Sequence, residues 1–221
     1  SIEAGNVSLS FGASTQLGDA LNSISGVSTV PIAGNTVISV ISGVGATGIL
    51  SYLYDGSSWS ILGNGGSLGS LGIGSGRVDG NVTAVAAFNG ELYVGSDGRF
   101  FAGEDLGPLA KWNGTRWSTV GGRINGVVRA LLVSNGSLYV GGDFTAIGGI
   151  SLAYVAKWNG MSWSALGAGP GRPVHCLAGG ANGDLYVGTP SHYTIQRYNG
   201  TSWSFVGQAP FTIATAVLRP F

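Results

Sequence analysis

The sequence predicts an all-β fold, a β-propeller of four-stranded blades, and three observations carry that expectation. One hairpin motif recurs four times along 221 residues. A second strand motif precedes it in each unit, and Asn-Gly pairs punctuate the strand-like runs. Self-similarity at this spacing is the signature of a repeat architecture. Four short antiparallel strands per unit is the pattern of a propeller blade.

The hairpin motif reads aromatic, Asn or Asp, Gly, two variable residues, Trp, Ser. Its copies begin at Tyr54-Asp55-Gly56, Trp112-Asn113-Gly114, Trp158-Asn159-Gly160 and Tyr198-Asn199-Gly200, and they end at Trp59, Trp117, Trp163 and Trp203. Asn-Gly favours positive φ at both central positions of a type I′ turn, which matches the twist of the flanking strands. The aromatic residues on either side are then placed to pair across the hairpin, and each Trp is expected to pack between neighbouring sheets.

The units follow in order. The first is expected over 26–63, with the degenerate strand Thr36-Val37-Ile38-Ser39-Val40. A Gly/Ser-rich insertion from Gly63 to Gly80 widens the gap to the next unit and reads as an extended loop. The second, 77–122, runs Val82–Phe88, Asn89-Gly90 and Glu91-Leu92-Tyr93-Val94-Gly95. The third, 126–167, repeats this with Val128–Val133, Asn135-Gly136 and Ser137-Leu138-Tyr139-Val140-Gly141-Gly142. In the fourth, 172–207, Val174-His175-Cys176-Leu177 and Asn182-Gly183 precede Asp184-Leu185-Tyr186-Val187-Gly188, with Asp184 read as a turn residue. The end segments resemble the two missing strands. Ala214–Leu218 matches a first strand and Asn6–Gly12 a second. Residues 211–221 and 1–25 are therefore expected to share a composite fifth blade, making 1–221 one domain and covering the open sheet edges.

Composition narrows function. Charged residues make up 9% of the chain, against roughly 25% in an average domain. The formal net charge is zero, and no basic stripe exists to neutralise phosphates, so nucleic acid is not an expected partner. Apolar runs are broken within a few residues, well short of the roughly 20 needed to span a bilayer as a helix. The chain starts at Ser1, which fits a processed form or a piece of a longer protein. Cys176 is the only cysteine. It permits no internal disulfide and reads as a small buried hydrophobe.

Leu109-Ala110-Lys111-Trp112-Asn113-Gly114, Val155-Ala156-Lys157-Trp158-Asn159-Gly160 and Leu138–Gly149 carry a family resemblance. They resemble the kelch-type repeats related to the central domain of galactose oxidase. They are also similar to the extracellular repeats of the fungal cortical-marker-for-cell-polarity family. The match covers 77–207. The resemblance implies a propeller in an extracellular setting more than any activity.

A copper centre like that of galactose oxidase would need Tyr, His and a Cys–Tyr crosslink. The two histidines, His175 and His192, and Cys176 do not form such a pattern. Neither Walker A nor His-Glu-x-x-His occurs, so no cofactor, metal or enzymatic activity is expected. Asp97, Glu104, Asp105 and Asp143 fall in loops after second strands, where they read as solvated loop carboxylates, although such loops could converge on one face.

Five N-x-[ST] sequons, at Asn6, Asn81, Asn113, Asn135 and Asn199, are candidate N-glycan acceptors. The expected role is a non-catalytic structural or interaction module of a surface, wall or appendage glycoprotein, with other modules or copies of itself as partners. The alternative is a propeller lectin. Sugars would then stack on Trp112, Trp158 and Tyr198, with Asn113, Asn159 and Asn199 holding hydroxyls. Burial of the motif aromatics argues for the scaffold, and exposure for the lectin.

Overall fold

The computed structural model describes residues 24–32, 35–42, 50–54, 59–64, 80–113, 116–180, 182–190 and 194–208, with side chains from residue 80 onward. These residues form strands and turns, with no helix among them. The first sheet joins β1 (Ile24–Ile32), β2 (Asn35–Ser42), β3 (Leu50–Tyr54) and β4 (Trp59–Asn64). The second joins β5 (Val82–Phe88), β6 (Glu91–Ser96), β9 (Leu109–Trp112) and β10 (Trp117–Thr119). The third joins β11 (Val128–Ser134), β12 (Ser137–Gly142), β15 (Val155–Trp158) and β16 (Trp163–Ala165). The fourth joins β17 (Cys176–Gly179), β18 (Leu185–Gly188), β19 (Thr194–Tyr198) and β20 (Trp203–Gln208).

Each sheet is an antiparallel meander in chain order. The first strands stand side by side, β1 next to β5, β5 next to β11 and β11 next to β17. These are propeller blades, numbered 1 to 4 in chain order. The composite blade expected from 211–221 and 1–25 lies outside the described residues.

Alternation along the second strands explains how blades stack, since successive side chains point to opposite faces. Leu138 and Val140 of β12 join Tyr93, Leu109 and Phe88 of blade 2 in one core. Tyr139, between them, faces the other way into a core with Val174, Leu185 and Val187 of blade 4. Because β12 is covered on both faces, all six of its residues are buried.

The glycine after each Leu-Tyr-Val run has a steric cause. A Cβ on Gly95 would lie 2.5 Å from Val128 Cγ1, and one on Gly141 would lie 2.7 Å from Val174 Cγ1. The end of each second strand thus lets the next blade approach.

Two features depart from the sequence reading. The loops between second and third strands carry small hairpins. In blade 2 it is β7 (Phe100–Phe101) with β8 (Glu104–Asp105), and in blade 3 β13 (Ala146–Ile147) with β14 (Ile150–Ser151). The turn chemistry also divides. Asn89-Gly90 (φ 51° and 75°) and Asn135-Gly136 (φ 48° and 65°) are two-residue turns with both residues left-handed. In blade 4 only Gly183 of its pair has positive φ, and the turn spans 180–184. Asp184 there is buried, and its carboxylate takes Arg197 Nε at 2.7 Å. It is the last residue of that turn, as the sequence reading had it, and in addition a paired, buried charge.

Candidate functional site

The chemistry of the aromatic hairpin suits either core or ligand surface, and the backbone settles its geometry first. Trp112 pairs in register with Trp117, Trp158 with Trp163 and Tyr198 with Trp203. Their ring centroids lie 5.4, 5.0 and 5.1 Å apart, within the range of attractive aromatic contact. Tyr54 and Trp59 hold the same register in blade 1.

The connecting loop corrects the type I′ expectation. Four residues separate the paired aromatics, and Asn159 and Asn199 are not left-handed, whereas Gly160 (φ 100°) and Gly200 (φ 96°) are. The Asn closes the loop with its side chain. Asn159 Oδ1 accepts from the amides of Met161 and Ser162, both at 2.8 Å. Asn199 Oδ1 accepts from the amides of Thr201 (3.0 Å) and Ser202 (2.9 Å), and Asn113 Oδ1 accepts from the Arg116 amide at 3.0 Å. This is an Asx-type turn, in which a short polar side chain replaces a backbone acceptor.

The second aromatic reaches across to the preceding blade. Trp163 Nε1 donates to the Val120 carbonyl at 2.9 Å. Trp203 Nε1 donates to the Leu166 carbonyl at 2.6 Å. Val120 and Leu166 occupy equivalent places, just past the outer strand of their blades, and both are buried. In blades 3 and 4 the motif Trp is therefore a latch between blades, with its indole N–H satisfied by the neighbour's backbone, whereas Trp117 Nε1 in blade 2 is buried without a hydrogen-bond partner.

The six residues of the sugar-pocket alternative differ in environment. Trp158 is 5% exposed and belongs to the core between blades 2 and 3. Trp112 and Tyr198 are half-buried, each with a ring contact to its partner tryptophan. The acceptor oxygens of Asn113, Asn159 and Asn199 are spent on their own loops. The six residues come together as three hairpins, each a packed pair closed by an Asx turn.

The sequons separate by environment. Asn81 Nδ2 donates to Asp97 Oδ2 at 2.7 Å, and Thr83 Oγ1 donates to the Val128 carbonyl, so both ends of that sequon are tied into the fold. Asn135 is exposed on a tight turn, but Ser137 is buried. Asn113 is exposed, and Gly114 and Thr115 lie outside the described residues, as does Asn6. Asn199 and Thr201 are both exposed, and Thr201 Oγ1 donates to Asn199 Oδ1 at 2.9 Å.

A polar cluster runs across the start of the inner strands. A β-bulge opens the β11–β12 ladder between Val128 and Ala130, and Arg129 is the extra residue. Bulges re-aim a side chain. Arg129 here makes a bidentate pair with Asp143, Nε to Oδ1 at 2.8 Å and Nη2 to Oδ2 at 2.6 Å. His175, at the entry to blade 4, places Nε2 3.9 Å from Asp143 Oδ1. Burial, then the Arg129 charge, holds the His175 imidazole below its ordinary pKa against the pull of Asp143. Burial pushes the Cys176 thiol up, as expected of an unreactive interior cysteine.

Three of the four loop carboxylates are taken up in the same way, and Glu104 is exposed. Asp97 holds Asn81, Asp143 holds Arg129, and Asp105 holds both Arg99 (2.9 Å) and Arg123 (2.5 Å). A cleft of about 470 Å³ opens between Asp97, Pro108, Ile124 and Val127, with Asn125 at its wall. Asn125 carried no sequence signal. Its Oδ1 accepts from the Thr145 and Ala146 amides, and its Nδ2 donates to Thr145 Oγ1. It fastens the linker before blade 3 to that blade's small hairpin.

Tyr93 supplies a pH-dependent test of the packing. Burial, with Glu91 adding to the effect, pushes its hydroxyl up to about 12. The folded state thus favours the neutral phenol. Its contribution is intact below the unfolded value near 10 and is lost as pH rises from about 10 to 12, a change of about 2–3 kcal/mol. Urea titrations across that window should show stability falling, and Tyr93→Phe should flatten the fall.

No family model matches this chain, and neither does any curated protein. Among solved structures, YCF48 bound to D1 peptide is similar at 16% identity, with a TM-score of 0.45. That match covers 84% of this chain, which spans 54% of the other. The computationally designed Ika4 protein is similar at 13% identity and TM-score 0.41, over 85% of this chain and 96% of its own. A variant of the Aleuria aurantia lectin in complex with alpha-methyl-L-fucoside is similar at 17% identity and TM-score 0.35, over 82% and 60%.

Proposed function

We propose that this chain is a non-catalytic interaction module, the propeller of an extracellular surface, wall or appendage glycoprotein. One observation carries the reading. The repeated aromatics, which in a lectin would line sugar pockets, are spent as latches between blades. Asp97, Asp105 and Asp143 of the loops are likewise used in internal contacts. What the chain offers to partners is its outer surface, with low charge and exposed apolar side chains such as Met161, Phe205 and Val206. Such residues at a rim suit contact with other modules.

Two measurements test this. Glycopeptide mass spectrometry on native protein is expected to find a glycan at Asn199 and none at Asn81. An unmodified Asn199 counts against the glycoprotein reading. On a glycan array the protein is expected to show no saturable binding. Saturable binding lost in a folded Asn159→Ala or Asn199→Ala variant would establish the lectin in its place.

A further inference from the structure

The cleft of about 470 Å³ lies between the flanks of blade 2's small hairpin and the linker 123–127 that enters blade 3. Its polar groups are committed unevenly. The side-chain acceptors are already used. Asp97 Oδ1 takes the Asn81 amide at 2.6 Å, and its Oδ2 takes Asn81 Nδ2 at 2.7 Å. Asn125 Oδ1 takes the amides of Thr145 and Ala146.

The donors are in a different state. Arg123 meets Asp105 through Nη2 alone, on the backbone carbonyl and on carboxylate Oδ2. Its Nε and Nη1 make no hydrogen bond among the described residues, and the side chain is 51% exposed. The backbone amides of Gly126 and Val127 make none either among the described residues. Three residues of one linker thus bring uncommitted N–H groups to one cleft. A guanidinium combined with successive backbone amides suits an anionic oxygen ligand.

The rest of the lining selects among anions. Asp97 stands at the same cleft, and its charge opposes a dianion such as phosphate more than a single carboxylate. The apolar lining is Pro108, Ile124 and Val127, with no aromatic ring. The stacking surface that a sugar ring would use is missing, whereas aliphatic walls with backbone donors suit a peptide.

We infer that this cleft binds a carboxylate carried by a peptide segment of a partner protein, with Arg123 and the amides of Gly126 and Val127 as its donors. The inference gives the interaction module a partner chemistry, and so it rests on that reading. The module reading falls on glycan binding at the outer hairpins, whereas this one falls on peptide binding at 123–127, so the two failures are distinct.

The test is amide NMR on the isotope-labelled full chain at neutral pH. It is titrated with N-acetyldialanine, which ends in a free carboxylate, and with the corresponding carboxamide. The Gly126 and Val127 resonances are expected to shift saturably, with the acid binding at least about tenfold tighter than the amide. Acetyl-alanyl-glutamyl-alaninamide carries its carboxylate on a side chain. Tight binding of either acid supports the proposal, and the tighter of the two tells whether the partner offers a chain end or an acidic side chain. Arg123→Gln should weaken the acid by about tenfold and leave the amide unchanged. Arg116→Gln, at an exposed arginine outside the cleft, should change neither. The wild-type resonances carry the test independently of how Arg123→Gln folds. Equal binding of acid and amide, glucuronate binding tighter than both acids, or shifts that miss Gly126 and Val127 each overturn the proposal.

Discussion

Trp158→Ala is expected to cost about 3–5 kcal/mol, the largest loss of any single truncation considered. Trp158 is 5% exposed, sits in the core shared by blades 2 and 3, and stacks on Trp163 at 5.0 Å. Removing it opens a cavity and also frees Trp163, whose indole latches the blade to the Val120 carbonyl. Thermal and urea unfolding should therefore show more than a lowered midpoint. Blades 3 and 4 should begin to unfold apart from blade 2, seen as a reduced m-value or a split transition. Trp163→Phe keeps one ring and removes the hydrogen bond with part of the indole's packing, so its loss should be smaller, about 1–2 kcal/mol. If Trp158→Ala were as mild as Trp163→Phe, the aromatic pair would not be core.

Gly142→Ala is the second large effect, and it tests a different force. A Cβ there would overlap the Val127 carbonyl oxygen and lie 3.1 Å from Val128 Cα. These are backbone atoms, and they cannot swing aside as a side chain would. Gly142 also donates its amide to the Tyr154 carbonyl at 3.0 Å and accepts from Val174 at 3.1 Å, so moving it disturbs blade 4. Overpacking of this kind costs about 1–3 kcal/mol, or more where the backbone must shift. The expected result is a loss at or above the top of that range. Gly149→Ala is the control, because a Cβ there meets nothing within 4 Å. Its positive φ of 83° should still cost something, about 1 kcal/mol.

Much of this architecture was legible in the residues. The repeated Leu138-Tyr139-Val140-Gly141 string announced a second strand, and the structure places its two faces in two different cores. Asn89-Gly90 and Asn135-Gly136 announced tight turns because few other pairs accept positive φ twice in succession. The aromatic pairing across the motif hairpin followed from residue spacing, since both partners belong to one short local unit. All of these are local properties, readable within a few neighbours of each residue.

The errors and omissions share the opposite character. Asn159-Gly160 carries the same dipeptide as Asn135-Gly136, yet it forms an Asx-closed four-residue loop, because the Trp158–Trp163 register sets the distance it must bridge. Asp184 is the turn residue its position suggested, but its pairing with Arg197, on the neighbouring strand β19, carried no local signal. Asn125 and the Arg129–Asp143–His175 cluster join residues from separate loops and blades, and no motif marks them.

The split is clearest at the tryptophans. Repetition alone established that these residues matter to every blade, and that each blade is a four-stranded unit. Whether they bind a ligand or another blade depends on what lies across the interface, which no local pattern encodes. Stacking decides it: the indole N–H finds the carbonyl of Val120 or Leu166 only when two blades come face to face, and burying that donor elsewhere would leave it unpaired.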